Sequence, residues 1–158
     1  MNQTTSPDRD LAARLQRLED VESICRLKAA YCAACDDDHD GDTVAGLFVE
    51  DGTWDTTQGG NCRSHDDIRT YFGNIRASGR LRYSTHMVTN PVIDITGDEA
   101  TGTWSLMMMF TGADDIRVRI LGFYRERYVR TDAGWRFRSL FCEVQDNVRL
   151  STDTTSTA

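Results

Sequence analysis

Apolar residues recur at spacings of three and four through the first third of the chain and alternate with polar ones through the second half. Leu11, Leu15 and Leu18, after the start signal Ser6-Pro7-Asp8, predict a helix. A second helix is expected from about Asp20, with Val21, Ile24, Leu27 or Lys28, and Tyr31 inward, ending in the acidic run Asp36 to Asp40. Asp42 is placed to cap a short third helix through Val44, Leu47 and Phe48. Gly52 to Thr56 reads as a short strand. Ser64-His65-Asp66-Asp67 resembles a capping box, opening a helix through Ile68, Tyr71, Phe72 and Ile75. From Leu81 the period changes to two. Strands are expected over 81–95, 100–111, 117–130 and 135–150, with turns at Thr96-Gly97-Asp98-Glu99 and Thr131-Asp132-Ala133-Gly134.

Helices first and long antiparallel hairpins afterwards make an α+β fold. A curved sheet wrapped by its helices leaves a concave, mostly apolar cavity, where small molecules sit. One domain is expected over 8–150, with loose polar ends at 1–7 and 151–158. The chain carries 25 acidic against 18 basic residues, a net charge of −7. That balance argues against a general nucleic-acid binder and against an anionic membrane surface. No apolar run reaches the ~20 residues of a membrane span, and Met1 to Asp10 lacks a secretory apolar segment, so a cytoplasmic location is expected. Five cysteines, three of them at Cys25, Cys32 and Cys35, do not make a disulfide framework.

Several patterns invite a chemical reading. Asp36, Asp38, Asp40 and Gly41 match the start of a calcium loop, but the demanding twelfth position falls on Leu47, so a solvated helix end is favoured. Cys32 and Cys35 form a lone CxxC inside a helix, which favours buried thiols acting as small apolar groups over zinc or redox chemistry. The chain has no Gly-rich phosphate loop, no Gly-x-Ser-x-Gly and no His-Glu-x-x-His, so neither a cofactor nor a metal is expected. His39, in the acidic loop, and His65, in a helix cap, are expected to be solvated. His86 lies within the strand Tyr83-Ser84-Thr85-His86-Met87-Val88, where it is either a hydrogen-bonded core residue or a proton-transfer group. Trp54, Trp104 and Met107 to Phe110 are core candidates, some of which must line any cavity.

The stretches Leu18 to Ile24, Leu27 to Asp36, Leu47 to Trp54, His86 to Pro91, and Gly122 to Arg130 with Gly134-Trp135 resemble the SnoaL-like proteins of the nuclear transport factor 2-like superfamily, over roughly residues 11–148. The resemblance implies a cone-shaped, curved antiparallel sheet wrapped by N-terminal helices. In its site the sequence looks most like scytalone dehydratase, bile acid 7α-dehydratase and lindane dehydrochlorinase, cofactor-independent eliminases with a His–Asp pair. Carried over by position, His86 becomes the general base, Asp36 the acid that orients it and Tyr31 a hydrogen-bond donor. Trp54 and Met108 become cavity walls. The arginine that some relatives carry in the last strand falls on Leu140 here. The resemblance implies a dehydratase for a small hydrophobic cyclic molecule, polyketide- or steroid-like. An isomerase or cyclase and a non-catalytic ligand-binding domain are the alternatives. It also implies a homo-oligomer, trimer or dimer, formed through the outer sheet face. Tyr31 and Asp36 are about 140° apart on a regular helix, so the helix is expected to end at Asp36 and turn the carboxylate toward His86.

Overall fold

The computed structural model describes residues 7–150, with side chains from Asp10 onward. The loose ends expected at 1–7 and 151–158 fall outside the described residues, except Pro7, which opens the first helix. That helix, α1, runs unbroken over Pro7–Asp36, so the two helices expected before the acidic run are one. Nothing from Leu18 to Val21 interrupts it: neither Gly nor Pro occurs there, and the Gln16 amide bridges to the Asp20 carboxylate one turn on at 3.1 Å. Its first half stands proud, with Leu11, Leu15 and Leu18 more than half exposed. Its second half buries Ile24, Leu27, Lys28, Tyr31 and Cys35.

Two short helices follow. In α2 (Gly41–Gly46) the N-cap is Asp40 rather than Asp42; its carboxylate accepts from the backbone N–H groups of Asp42 and Thr43. Phe48 has left the helix and starts β1 (Phe48–Thr56), which pairs with β2 (Gly60–Cys62). Helix α3 (His65–Ser78) is capped by Ser64 Oγ, which accepts from Asp67 N–H, and it closes on Gly79 in the left-handed region at φ 58°. Asp67 returns the contact one residue early, accepting from Arg63 N–H at 2.8 Å. Ile68 and Phe72 form the buried face of α3.

Four long strands complete the sheet: β3 (Leu81–Thr96), β4 (Glu99–Gly112), β5 (Arg117–Thr131) and β6 (Gly134–Leu150). Their expected boundaries hold to within one residue. The order is β2-β1-β6-β5-β4-β3. All neighbours are antiparallel except β1 and β6, which run parallel because the chain crosses over through α3 and the other strands. A register shift at Leu121/Gly122 bends the sheet, and Gly122 is required there because any side chain would run into the Glu143 carbonyl. The helices fill the concave side, where Ile24, Tyr31, Phe48, Phe72, Trp104, Tyr124, Tyr128 and Phe137 make the core.

Polar anchors fix α1 over this apolar floor. Asp20 accepts both Arg130 N–H groups at 2.7 Å and the Trp135 indole N–H at 3.2 Å. Those bonds, led by Arg130, outweigh the opposing effect of burial and hold its carboxyl down to about 2. Two turns on, Lys28 Nζ lies 2.5 Å from Glu126 Oε1 and 3.1 Å from the Tyr124 ring centroid, with both charged side chains wholly buried. Tyr128 donates its hydroxyl proton to the other Glu126 oxygen and accepts from the Trp104 indole at 3.0 Å, so every partner is satisfied.

Two outcomes are expected. Asp20→Asn lowers stability by about 2 kcal/mol at neutral pH. Because the folded pKa is depressed, Asp20 contributes in full above its ordinary value of 3.8, and the contribution fades as pH falls toward 2. Urea unfolding of the variant therefore shows a shallower loss of stability across that window than the parent does. Lys28→Met alone costs about 3–5 kcal/mol by stranding the Glu126 charge, whereas Lys28→Met with Glu126→Gln costs less than the single change. Equal costs for the single and double variants in urea titrations count against the buried pair as drawn.

Candidate active site

Strand β3 is one of the two edges of the sheet, so alternate N–H groups along it have no strand to bond. At His86 the end of α1 supplies the partner. The helix stops at Asp36, and one carboxylate oxygen accepts the His86 backbone N–H at 2.8 Å. The other lies 2.6 Å from His86 Nδ1 and accepts the Ser84 hydroxyl at 2.9 Å. Asp38 and His39, both with positive φ, then reverse the chain into the Asp40 cap. Burial pushes the Asp36 carboxyl up, but the hydrogen bonds from the His86 ring and N–H and from Ser84 prevail, and it stays below the ordinary carboxylate range. An ionised acceptor at Nδ1 makes that nitrogen the N–H donor and leaves Nε2 as the basic atom. Among the described residues Nε2 has no hydrogen-bond partner.

The imidazole lines a cavity of 280 Å³ between α1, α3 and the sheet. Tyr31, Trp54 and Met108 line it too, so the cavity gathers four of the five residues the sequence singled out, and Asp36 stands directly behind the fourth, His86. The Trp54 indole donates to the Tyr31 hydroxyl at 2.8 Å, which leaves the phenol's own proton to be given away. Burial raises the Tyr31 phenol well above its usual range, so it remains a neutral donor. Met108 sits directly opposite His86 in the β3–β4 register. The same register continues through Ile120 to Asn147, so His86, Met108, Ile120 and Asn147 form one row across the cavity floor.

Some expectations need correcting. His39 is not solvated: it is buried, stacks on Phe72 at 6.2 Å between ring centroids and joins the cavity wall. Burial, then the neighbouring His86, lowers its pKa, which favours the neutral ring. His65 is half-buried, with Nε2 3.0 Å from the Phe48 carbonyl. The acidic run is spent on structure, Asp36 on His86, Asp38 on Arg76 at 2.9 Å and Asp40 on its cap. Cys32 and Cys35 are buried free thiols, and desolvation pushes Cys32 up to about 11 and Cys35 higher still. Leu140 is a core residue outside the cavity lining. His39, Thr56, Gln58 and Asn147 are polar wall residues that sequence reasoning did not assign to a site. Neither His39 nor Asn147 left a signal: strict alternation from Val144 points Asp146 and Val148 inward, and only the bulge at Gln145 turns Asn147 to the cavity, while positive φ folds His39 inward.

Solved structures share this architecture. A protein provisionally assigned as an aromatic ring hydroxylase from Novosphingobium aromaticivorans is 27% identical, with a TM-score of 0.76 over 84% of this chain and 94% of that one. One provisionally named scytalone dehydratase from the same organism is 20% identical, with a TM-score of 0.77 over 85% and 90%. A hexachlorocyclohexane dehydrochlorinase is 18% identical, with a TM-score of 0.80 over 88% and 94%. A comparison with curated proteins returns no match. Among the described residues no helix is long and apolar enough to cross a membrane. The model of the SnoaL-like domain matches residues 16–140, most of the described chain. The chain thus belongs to the SnoaL-like family and has the nuclear transport factor 2-like, cystatin-like α+β fold.

Proposed function

We propose that the chain is a cofactor-independent lyase that dehydrates a compact hydrophobic cyclic ketone carrying a β-hydroxyl. One observation carries this reading: His86 Nδ1 is held 2.6 Å from the Asp36 carboxylate while Nε2 is left unpartnered beside an apolar cavity. That is the arrangement of a general base, with an acid that fixes the tautomer and stabilises the imidazolium formed on proton uptake. The names of two structural neighbours, a dehydratase and a dehydrochlorinase, both denote eliminations. The cavity, just below the ~300–1,000 Å³ of usual ligand pockets, suits a bicyclic ring rather than a long chain.

In the proposed reaction Nε2 takes the proton from the carbon next to the carbonyl. The C–H electron pair becomes the enolate, and Tyr31 donates a hydrogen bond to the developing oxyanion. The enolate then collapses to the alkene as the β-carbon–oxygen bond breaks. The leaving hydroxide recovers the proton from imidazolium and departs as water, returning His86 to its neutral state. Trp54 holds the Tyr31 oxygen in place, and Met108 and Ile120 keep bulk water off the enolate. The chain would act as a single domain over 8–150.

The test uses a tetralone bearing a β-hydroxyl, whose dehydration yields a naphthol. Wild-type protein releases naphthol and water. His86→Ala removes turnover, and Asp36→Asn lowers kcat by about 10²–10⁴-fold with KM little changed. Unchanged product mass with α-proton exchange in D₂O points instead to an isomerase or cyclase using the same base. Binding of the tetralone without turnover or exchange points to the ligand-binding alternative. Turnover by folded His86→Ala at the parental rate defeats the mechanism.

A further inference from the structure

The cavity is not the end of the concave face. One row further along, the register links Ser84, Phe110, Val118 and Arg149, the last lying two residues beyond Asn147 on the same side of β6. Here the sheet runs past the helices, and a second hollow of 510 Å³ opens on it. Phe110 and Asn147 line both spaces, so they adjoin. Arg149 forms the sheet side of this hollow, and Arg80, just after the Gly79 turn that ends α3, forms the helix side.

The charges at this end are unevenly used. Arg82 is paired with Asp115 at 2.7 Å, and Arg119 with Asp146 at 2.8 Å. Arg80 and Arg149 have no ion-pair partner among the described residues, although the protein is acidic overall. Arg117 is also unpaired, but it lies on the opposite face of β5 from Val118 and lines a different hollow with Tyr83. The wall has one carboxylate, Asp114, and it is folded back to accept its own turn's Ile116 N–H at 3.2 Å.

We infer that this hollow is an anion subsite: the substrate is an amphipathic acid whose ring fills the His86 cavity and whose short chain passes Phe110 to place a carboxylate between Arg80 and Arg149. This names the substrate class of the site and rests on the reading given above. Two guanidinium forks facing a shared space suit a planar carboxylate, and Asp114 on the same wall disfavours a dianion such as a phosphate monoester. β3 and β6 are three interstrand steps apart, about 14 Å along a flat sheet. Curvature and the length of the arginine side chain shorten the gap, so a linker of a few carbons spans it. Asn147, at the β6 end of the His86 row and lining both spaces, is placed to meet the chain.

The experiment compares naphthoylpropionate, a naphthyl ketone with a terminal carboxylate, with its methyl ester by calorimetric titration of the full chain. The acid is expected to bind about tenfold tighter than the ester at low salt, with the preference shrinking as salt rises. Arg149→Ala should erase most of that preference and Arg80→Ala with Arg149→Ala all of it, leaving the ester's Kd within about twofold. Both arginines are exposed, so the variants fold. The same titrations on His86→Ala separate the two readings. An acid preference kept in a protein whose wild type never dehydrates the tetralone overturns the lyase reading and supports this one. Equal Kd values for acid and ester in the wild type, equal weakening of both by the arginine changes, or binding of neither, overturns the subsite.

Discussion

The free edge of β3 is the constraint that organises this molecule. An edge strand presents N–H groups that need a partner, and here a buried ring follows directly from one of them. Asp36 answers both demands with its two oxygens, one on the His86 backbone and one on its imidazole. The contact that orients the candidate base is therefore also the one that locks the helix layer to the sheet. A carboxylate bound this way loses little reorganisation freedom when the ring gains charge, because its position is already set by the backbone bond. The depressed pKa of Asp36 is the electrostatic trace of that arrangement.

The same helix carries its other polar anchors at a regular interval. Asp20, Lys28 and Asp36 are eight residues apart, about 12 Å of helix each time. Together they reach three strands: Asp20 goes to Arg130 on β5 and Trp135 on β6, Lys28 to Glu126 on β5, and Asp36 to His86 on β3. Between them lie Ile24, Leu27, Tyr31 and Cys35, whose burial supplies the attraction but little direction. Apolar contacts tolerate a helix sliding or turning by part of a step. Charge pairs with fixed strand partners do not, so they set the helix's axial position and with it where Asp36 ends. The Lys28–Glu126 pair matters here even if it adds little net stability, since its loss from one side leaves a charge with nowhere to go.

These relations also explain what could be read from the chain beforehand. The four long strands and their turns were legible because alternation and Gly or Asp turn residues act locally. The positions of His86, Asp36 and Tyr31 came through a resemblance, and their convergence could not be derived from spacing, since 140° around a helix separates Tyr31 from Asp36. The continuous α1 was missed because Leu18 to Val21 changes which face is apolar, and that change reflects a helix leaving the core rather than ending. Glu126 reads as one more polar residue on an alternating strand. Only the approach of Lys28, 98 residues away, makes it a core group. His39 looked solvated among aspartates because positive backbone angles, which fold it back onto Phe72, leave no mark in composition.

The wall opposite the base narrows the chemistry further. Met108 faces His86 across the β3–β4 ladder and Ile120 follows it, so no acid or second imidazole stands across the row. His39 is on the helix side, and its lowered pKa makes it a poor source of protons. In the proposed dehydration the leaving hydroxyl would take its proton from Tyr31, whose elevated pKa makes full transfer costly, or from a His86 imidazolium formed in the first step. A single group taking the proton and giving it back requires both transfers on the same face of the substrate. Under this mechanism the elimination is syn, and the configuration at the carbinol carbon decides which enantiomer is consumed.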